Sequence, residues 1–478
     1  MEKSLQAKTI NGVIWSGIER FSLQGVQFLI NIVMARILQP SDYGMIGMLA
    51  VFLQISQAFI DSGFTSALIQ QKERTEVDYS TVFYFNVVLS VFFYIAIFLG
   101  APLIASFYYL PALVPVTRVV AVSLIISSLS AIHKTKLTID IDFRTQSKVS
   151  LLSAIASGGI GIIMAYNGFG VWALVYQTLI NVTLQTFFLY YYLHWMPTCG
   201  FSVMSFKKLF SFGSKLLISG LIHKIYYNLY GIVIGRKFSV VDLGYYTRAE
   251  QFAFFLSSNI NAVISRVMYP ILSLIQDDDK RLSSAYRKYI NFASFIIFPL
   301  MVGLAALSSP LVDLLLTDKW MMVVPLLQIL CLDWMFDHLS VINQNLLYVK
   351  GRSDLALKVE IIKKTIATTI LFLSIPFGII GMCWGRVLYS LIAVYLNAYY
   401  TKKLIGLSFW MQMKDIAPSL FIAFLMGGLV YPINRTDLDS YLQLLVGFIG
   451  GVFFYFSAMY IFQRNLVLNF LQLIKRNR

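Results

Sequence analysis

Charge is what this chain has least of. Asp, Glu, Lys and Arg make up 13% of its 478 residues, against 58% hydrophobic, where a soluble domain carries roughly 25% charged residues. A soluble globule of this size would lack the polar residues to cover its surface. The composition therefore excludes one and defines a polytopic membrane protein. Histidine, with 4 residues, and cysteine, with 3, are nearly as scarce. Cys199, Cys331 and Cys383 are scattered, with neither disulfide nor metal-ligand spacing. No P-loop, HExxH or serine-triad spacing occurs, and no loop is long enough to hold a soluble catalytic domain. No enzymatic activity, metal or cofactor is expected. Residues 1–11 are short and polar, and the apolar segment after them contains Glu19 and Arg20 and is too long for a cleaved signal.

Long apolar runs are what it has in abundance. Runs sufficient to cross a hydrocarbon core, about 20 residues each, fall near 12–38, 43–69, 79–106, 112–133, 149–166, 169–193, 208–234, 244–272, 289–312, 323–349, 359–376, 379–400, 413–433 and 441–463. They predict an all-α integral membrane protein of about fourteen transmembrane helices. No charged residue stands between Val149 and Phe206, and the turn signal Tyr166-Asn167-Gly168-Phe169-Gly170 divides that stretch in two. With the N-terminus placed in the cytoplasm, twenty-five lysines and arginines fall in cytoplasmic loops and ends. Five fall outside: Arg36, Arg236, Lys237, Lys319 and Arg435. The positive-inside rule then puts both termini in the cytoplasm. The same bias accounts for most of the +15 net charge, so nucleic acid is not needed as a partner.

The chain repeats itself. Arg36, Asp42 and Gly44 match Arg236, Asp242 and Gly244 without a gap, each set joining two apolar segments. Pro102 and Pro310, Val114-Pro115 and Val324-Pro325, and Lys148-Val149 and Lys358-Val359 follow in the same order at nearly the same offset. Helices 1–6 thus recur as helices 7–12. The implied organisation is an N-terminal lobe 1–200, a C-terminal lobe 201–405, and two added helices with a basic tail in 406–478. An even number of helices makes the repeats parallel, as in transporters whose cavity lies between two lobes. Locally, Asp42 and Asp242 read as capping residues for the helices that follow.

Eight basic residues remain inside the apolar segments: Arg20, Arg118, Lys224, Arg248, Arg266, Lys363, Lys364 and Arg386. A basic residue at mid-bilayer costs about 2.5–3.5 kcal/mol on insertion scales and faces a bundle interior or a watery cavity. Lys363 and Lys364 are close enough to a helix end to snorkel. The acids inside are Glu19, Asp61, Glu250, Asp333 and Asp337, too few to pair every cation. Asp333 and Asp337, four apart, are expected on one face of helix 10, where a proton or Na⁺ could bind; Asp61 is a further carboxylate of this kind. For each of these charges the alternative is an ion pair to a neighbouring helix. The tyrosine patches at Tyr190–Tyr192 and Tyr226-Tyr227 read first as an interfacial belt, and Gly158-Gly159-x-Gly161 as a helix-packing patch.

The stretches "ARILQPSDYGMIGM", "FIDSGFTSALIQ" and "DLGYYTRAEQF…VMYPILSLIQ" resemble the Wzx-type polysaccharide exporters, nearest the colanic and teichuronic acid exporter branch. These belong to the multidrug/oligosaccharidyl-lipid/polysaccharide (MOP) flippase superfamily. The resemblance implies two six-helix lobes, a cationic central cavity, and flipping of an undecaprenyl-diphosphate-linked oligosaccharide to the outer leaflet of the bacterial cytoplasmic (inner) membrane. Arg20, Arg118, Lys224, Arg248, Arg266 and Arg386 are then candidates to hold the diphosphate, and Asp61, Asp333 and Asp337 candidates for ion coupling. The implied partners are the lipid-linked glycan, the bilayer, and a polysaccharide polymerase or other export protein. Competing readings are a multidrug exporter of the same superfamily, a major facilitator transporter, and a membrane polymerase or glycosyltransferase. The segment after helix 2, "QQKERTEVDYS", lacks the facilitator motif, and no large external loop supports an enzyme.

Overall fold

The computed structural model describes residues 22–61, 63–71, 73–464 and 466–468. The regular structure of the described residues is all helical, with no strand among them. In chain order the helices are α1 (Ser22–Ile37), α2 (Pro40–Asp61), α3 (Phe64–Gln70), α4 (Glu76–Phe107), α5 (Leu113–Val120), α6 (Val122–Ile139), α7 (Phe143–Tyr166), α8 (Val171–Leu193) and α9 (Val203–Lys237). They continue as α10 (Val240–Ser273), α11 (Asp279–Ala306), α12 (Ser308–Leu316), α13 (Val323–Trp334), α14 (Asp337–Val349), α15 (Ser353–Ser374), α16 (Gly378–Ile405), α17 (Phe409–Val430) and α18 (Ser440–Phe462). Among the described residues, nine helical stretches are long and apolar enough to cross a membrane. One of them, Asp354–Ile405, contains two of the expected segments joined by the short 3-10 turn Ile375–Phe377. The helices α8, α9 and α10 are not among the nine.

The chain divides into two compact units, Met1–Gly244 and Tyr245–Arg478. In the first, α9 packs along α2 and α3, although it opens the second sequence repeat. Gly63 breaks α2 from α3 at φ +69°, and a Cβ there would sit 2.5 Å from the Gly213 carbonyl oxygen of α9. Glycine answers both the left-handed backbone and the close approach. Around this break Phe64, Leu68, Val82, Phe83, Ile132 and Leu209 form a buried cluster, flanked by Trp195 and Phe206.

The repeated Asp-x-Gly elements meet within this first unit. Asp42 stands in the first turn of α2, and its carboxylate accepts from the Gln39 N–H at 2.9 Å. Asp242 does the same at α10, accepting from the Ser239 N–H at 3.1 Å, while its own N–H donates to Ser239 Oγ at 3.0 Å. Both are the reciprocal half of a capping box. A Cβ on Gly44 would lie 1.8 Å from the Val240 carbonyl oxygen, and a Cβ on Gly244 would lie 2.0 Å from that of Pro40. Each glycine thus admits the first residue of the other helix. The motif recurs because its two copies pack against each other.

In the second unit α11 is the central element, packed most extensively on α17 and also on α13. It buries Tyr286, Ile290, Phe295, Phe298 and Met301. Asp278 caps it, accepting from the Arg281 N–H at 2.9 Å, so the acidic stretch 277–279 is a helix start. Buried amides cross-link the other helices: Asn343 of α14 and Gln412 of α17 exchange hydrogen bonds at 2.9 and 3.1 Å, and Thr401 of α16 donates to Asn343 at 2.7 Å. Helix 10 is interrupted at Met335 and Phe336, between α13 and α14.

Candidate functional site: charged networks inside the helices

Lys224 lies midway along α9, half-buried. Its ammonium donates to the Gln54 carbonyl oxygen of α2 at 3.3 Å. One turn on, Asn228 Nδ2 donates to Gln54 Oε1 at 3.0 Å and to the Lys224 carbonyl at 2.8 Å. Asp61, at the end of α2, accepts from Gln57 Nε2 at 3.0 Å, and Gln57 Oε1 in turn accepts from Ser127 of α6 at 3.2 Å. The cations whose charges act on Asp61 are Lys224 and Lys134. Lys134 extends the network to α8: it donates to Gln185 Oε1 at 2.9 Å, and Gln185 donates to Asn181 Oδ1 at 2.6 Å. Hydrogen bonds therefore link α9 to α2, α2 to α6 and α6 to α8 in turn, in a polar seam that holds the ammoniums of Lys224 and Lys134 and the Asp61 carboxylate.

The sequence counts Lys134 among the basic residues of the cytoplasmic ends and loops, because the apolar run stops at His133. In the structure α6 continues to Ile139, so Lys134 stands on that helix rather than in a loop. The glutamines and asparagines of α2 and α8 were also passed over. Their signal was available as four amides (Gln54, Gln57, Asn181 and Gln185) in otherwise apolar segments.

The second unit holds a different cluster. Arg386 of α16 pairs with Glu250 of α10 and Asp333 of α13, each at 2.6 Å. It also donates to the Tyr246 hydroxyl at 2.6 Å and lies 5.5 Å from the ring centre of Trp334. Trp334 Nε1 donates to Glu250 at 3.3 Å. All three ion-pair side chains are at most 15% exposed. One arginine between two carboxylates leaves this group with net negative charge. Asp333 and Asp337 lie on either side of a two-residue turn, Met335 and Phe336, within one apolar helical stretch, Val323–Val349. Asp333 turns to Arg386, and Asp337, starting α14, accepts from Asn261 Nδ2 at 2.7 Å. Lys363 is 6% exposed and bridges to Glu360 at 2.5 Å.

The remaining candidates are dispersed. Arg118 of α5 donates to the Phe98 carbonyl at 3.3 Å and covers the Phe98 ring at 4.4 Å. Arg248 of α10 is 4% exposed, donates to Gln251 Oε1 at 2.6 Å and lies 5.8 Å from the Trp320 ring centre. Arg20 lies outside the described residues, and so does the side chain of Arg266. Among the sequence candidates the structure thus pairs Arg386 with Asp333, and it brings the charge of Lys224 to act on Asp61.

Helical membrane units with charged, hydrogen-bonded seams between their helices define a class, the multi-helix membrane transporters. The chain belongs to the family described as polysaccharide biosynthesis protein, which matches residues 33–325. It is 24% identical over 462 residues to the teichuronic acid biosynthesis protein TuaB of Bacillus subtilis (strain 168), covering 95% of each chain. It is 25% identical over 442 residues to the lipopolysaccharide biosynthesis protein WzxC of Escherichia coli (strain K12), covering 89% of this chain and 88% of the relative. Its fold matches the inward closed conformation of the lipid II flippase MurJ with a TM-score of 0.77 at 16% identity, over 95% of this chain and 100% of that one. It also matches an inward-facing multidrug resistance MATE transporter of the MOP superfamily, with a TM-score of 0.61 at 17% identity, over 80% of this chain and 94% of that one. The fold is the one these transporters share.

Proposed function

We propose that this protein is a transporter, not an enzyme, that flips an undecaprenyl-diphosphate-linked oligosaccharide from the cytoplasmic to the outer leaflet of the bacterial inner membrane. The observation that carries the reading is Lys224. A half-buried ammonium midway along a 35-residue helix is costly in a membrane protein, and here it lies in a seam with a second ammonium, Lys134, and one carboxylate, Asp61. The seam keeps a positive charge, and a diphosphate is the group such a seam would hold. Near full-length similarity to proteins of teichuronic acid and lipopolysaccharide biosynthesis supports a glycan cargo. A fold shared with a lipid II flippase supports a lipid carrier.

In this reading residues 1–200 and 201–405 act as parallel lobes alternating access to a central cavity, 406–478 adds two helices, and both termini face the cytoplasm. Lys224 and Arg20 contact the diphosphate, with Arg266 beside the path, and Arg118 and Arg248 serve nearer the outer interface. Arg386 works through its ion pairs. Asp61, Asp333 and Asp337 couple export to an ion gradient, and a polysaccharide polymerase receives the product.

The test is a deletion strain complemented by variants. Without the protein, undecaprenyl-linked glycan should accumulate inside the cell. Lys224→Ala should insert in the membrane at the wild-type level and fail to restore export. Lys224→Arg should restore part of it, since the charge survives in a different donor geometry. Full export from Lys224→Ala combined with Arg20→Ala would refute the cationic mechanism.

A further inference from the structure

A second cationic feature lies away from the seam, in a pocket at one end of the second unit. The pocket, about 510 Å³, is walled by the first four turns of α11 and the end of α16. Lys280, Ser284 and Lys288 form one row along α11 at i, i+4 and i+8, and Ser283, Arg287 and Asn291 form the adjacent row. The charges here are not equivalent. Arg287 is committed to Asp415 of α17 through two hydrogen bonds of 2.6 Å, and Asp279 to Lys350 at 2.6 Å. Each of these pairs is neutral, which leaves Lys280 and Lys288 to give the pocket a net charge of about +2. At its inner end the Asn291 carboxamide oxygen is buried without a hydrogen-bond partner. A buried acceptor of this kind costs free energy until a hydroxyl or ammonium reaches it.

The pocket also has a definable level. Asp415 belongs to the first two turns of α17, and Trp410, at the start of that helix, is 76% exposed. Exposed tryptophan at a helix end marks the headgroup level of a bilayer. Lysines beside serine hydroxyls, with an acceptor deeper in and at that level, match a phosphate that carries a hydroxylated group. Basic pockets between transmembrane helices take anionic lipid headgroups of this sort.

We propose that this pocket is a binding site for the headgroup of an anionic phosphoglyceride of the phosphatidylglycerol type. Lys280 and Lys288 hold the phosphate, Ser283 and Ser284 donate to its oxygens, and Asn291 accepts from the glycerol hydroxyl. The lipid is a resident of the surrounding leaflet, distinct from the transported glycan.

The experiment uses the purified full chain in detergent, titrated with phosphatidylglycerol or phosphatidylcholine, with retained lipid counted by native mass spectrometry. The wild type should retain phosphatidylglycerol selectively. Lys280→Gln with Lys288→Gln should weaken that retention at least tenfold with the lipid-free melting temperature unchanged, while Lys207→Gln with Lys208→Gln in the first unit should leave it intact. Ser284→Trp fills the pocket without removing charge and should weaken retention as well. Wild-type retention in the double lysine variant would overturn the site. Retention surviving Ser284→Trp would overturn it too, by reducing the binding to diffuse attraction to surface lysines. Displacement of the lipid by millimolar sn-glycerol 3-phosphate would assign the pocket to a soluble phosphate instead. Binding is read without glycan or transport, so a failure here leaves the flippase reading standing, and the reverse holds.

Discussion

The crossing of the two Asp-x-Gly elements gives the most demanding test of the structure. Gly44→Ala places a methyl 1.8 Å from the Val240 carbonyl oxygen, where ordinary contact begins at 3.4 Å; Gly244→Ala places one 2.0 Å from the Pro40 oxygen. The obstacles are backbone atoms, so no rotamer change relieves them, and the two helix starts must separate by more than an ångström. Overpacking costs typically about 1–3 kcal/mol and sometimes more, and a backbone obstacle argues for the upper part of that range. Replacing helical glycine by alanine returns about 1 kcal/mol in propensity. Each variant should therefore be destabilised by about 2 kcal/mol. Gly159→Ala and Gly428→Ala, whose Cβ would meet nothing within 4 Å, should be neutral or slightly stabilised. One separation of the helices makes room for both methyls, so the double variant should cost clearly less than the sum of the singles. Thermal unfolding of the detergent-purified protein, followed by size-exclusion chromatography, measures all five. If Gly44→Ala melted with Gly159→Ala, or if the double variant were additive, the close crossing would be refuted.

Three further outcomes are expected. Arg386→Ala leaves Glu250 and Asp333 buried together without their cation and should cost about 3–5 kcal/mol; export lost at an unchanged melting temperature would instead make Arg386 a substrate contact. Asp337→Asn should flatten the dependence of export on the proton or Na⁺ gradient at normal protein levels, and an unchanged gradient response in reconstituted vesicles would dispose of that role. Reporter fusions at Asn167, Arg236, Pro376 and Arg435 should read as external and those at Arg144, Lys207, Lys280 and Lys402 as cytoplasmic. Arg144 and Lys207 on opposite sides would break the six-helix repeat.

What could be read from the sequence depended on whether the information was local. Helix positions were legible, since apolar length and the turn at 166–170 are properties of short stretches. The capping role of Asp42 and Asp242 was legible for the same reason. Their glycines were visible as a repeat, yet spacing cannot say that two stretches two hundred residues apart touch, and the contact is what demands glycine. Arg386 was recognised as an intramembrane cation, but its partner Glu250 is 136 residues away, and periodicity gives no helix-to-helix pairing. The four-residue spacing of Asp333 and Asp337 points to one helix face, and it does not show the turn that separates α13 from α14. The interruption at Met335 and Phe336 carries neither glycine nor proline, so nothing local announced it.

The interior charges give the duplication its functional content. Both copies keep the Asp-x-Gly crossing, which is a matter of backbone fit, but the charge cluster at Lys224 and the one at Arg386 differ in sign. The first unit sets Lys134 and Lys224 against Asp61; the second sets Arg386 against Glu250 and Asp333, with Asp337 held by Asn261. A surplus of ammonium attracts an anion, whereas a surplus of carboxylate takes up a proton or a metal cation. Under the proposed function this assigns cargo to the first unit and coupling chiefly to the second. Lys224→Ala should then abolish export at every imposed gradient, while Asp337→Asn should leave residual export that no longer responds to the gradient. Identical phenotypes from the two variants would show that the sign difference has no mechanistic role, and the division of labour would have to be abandoned.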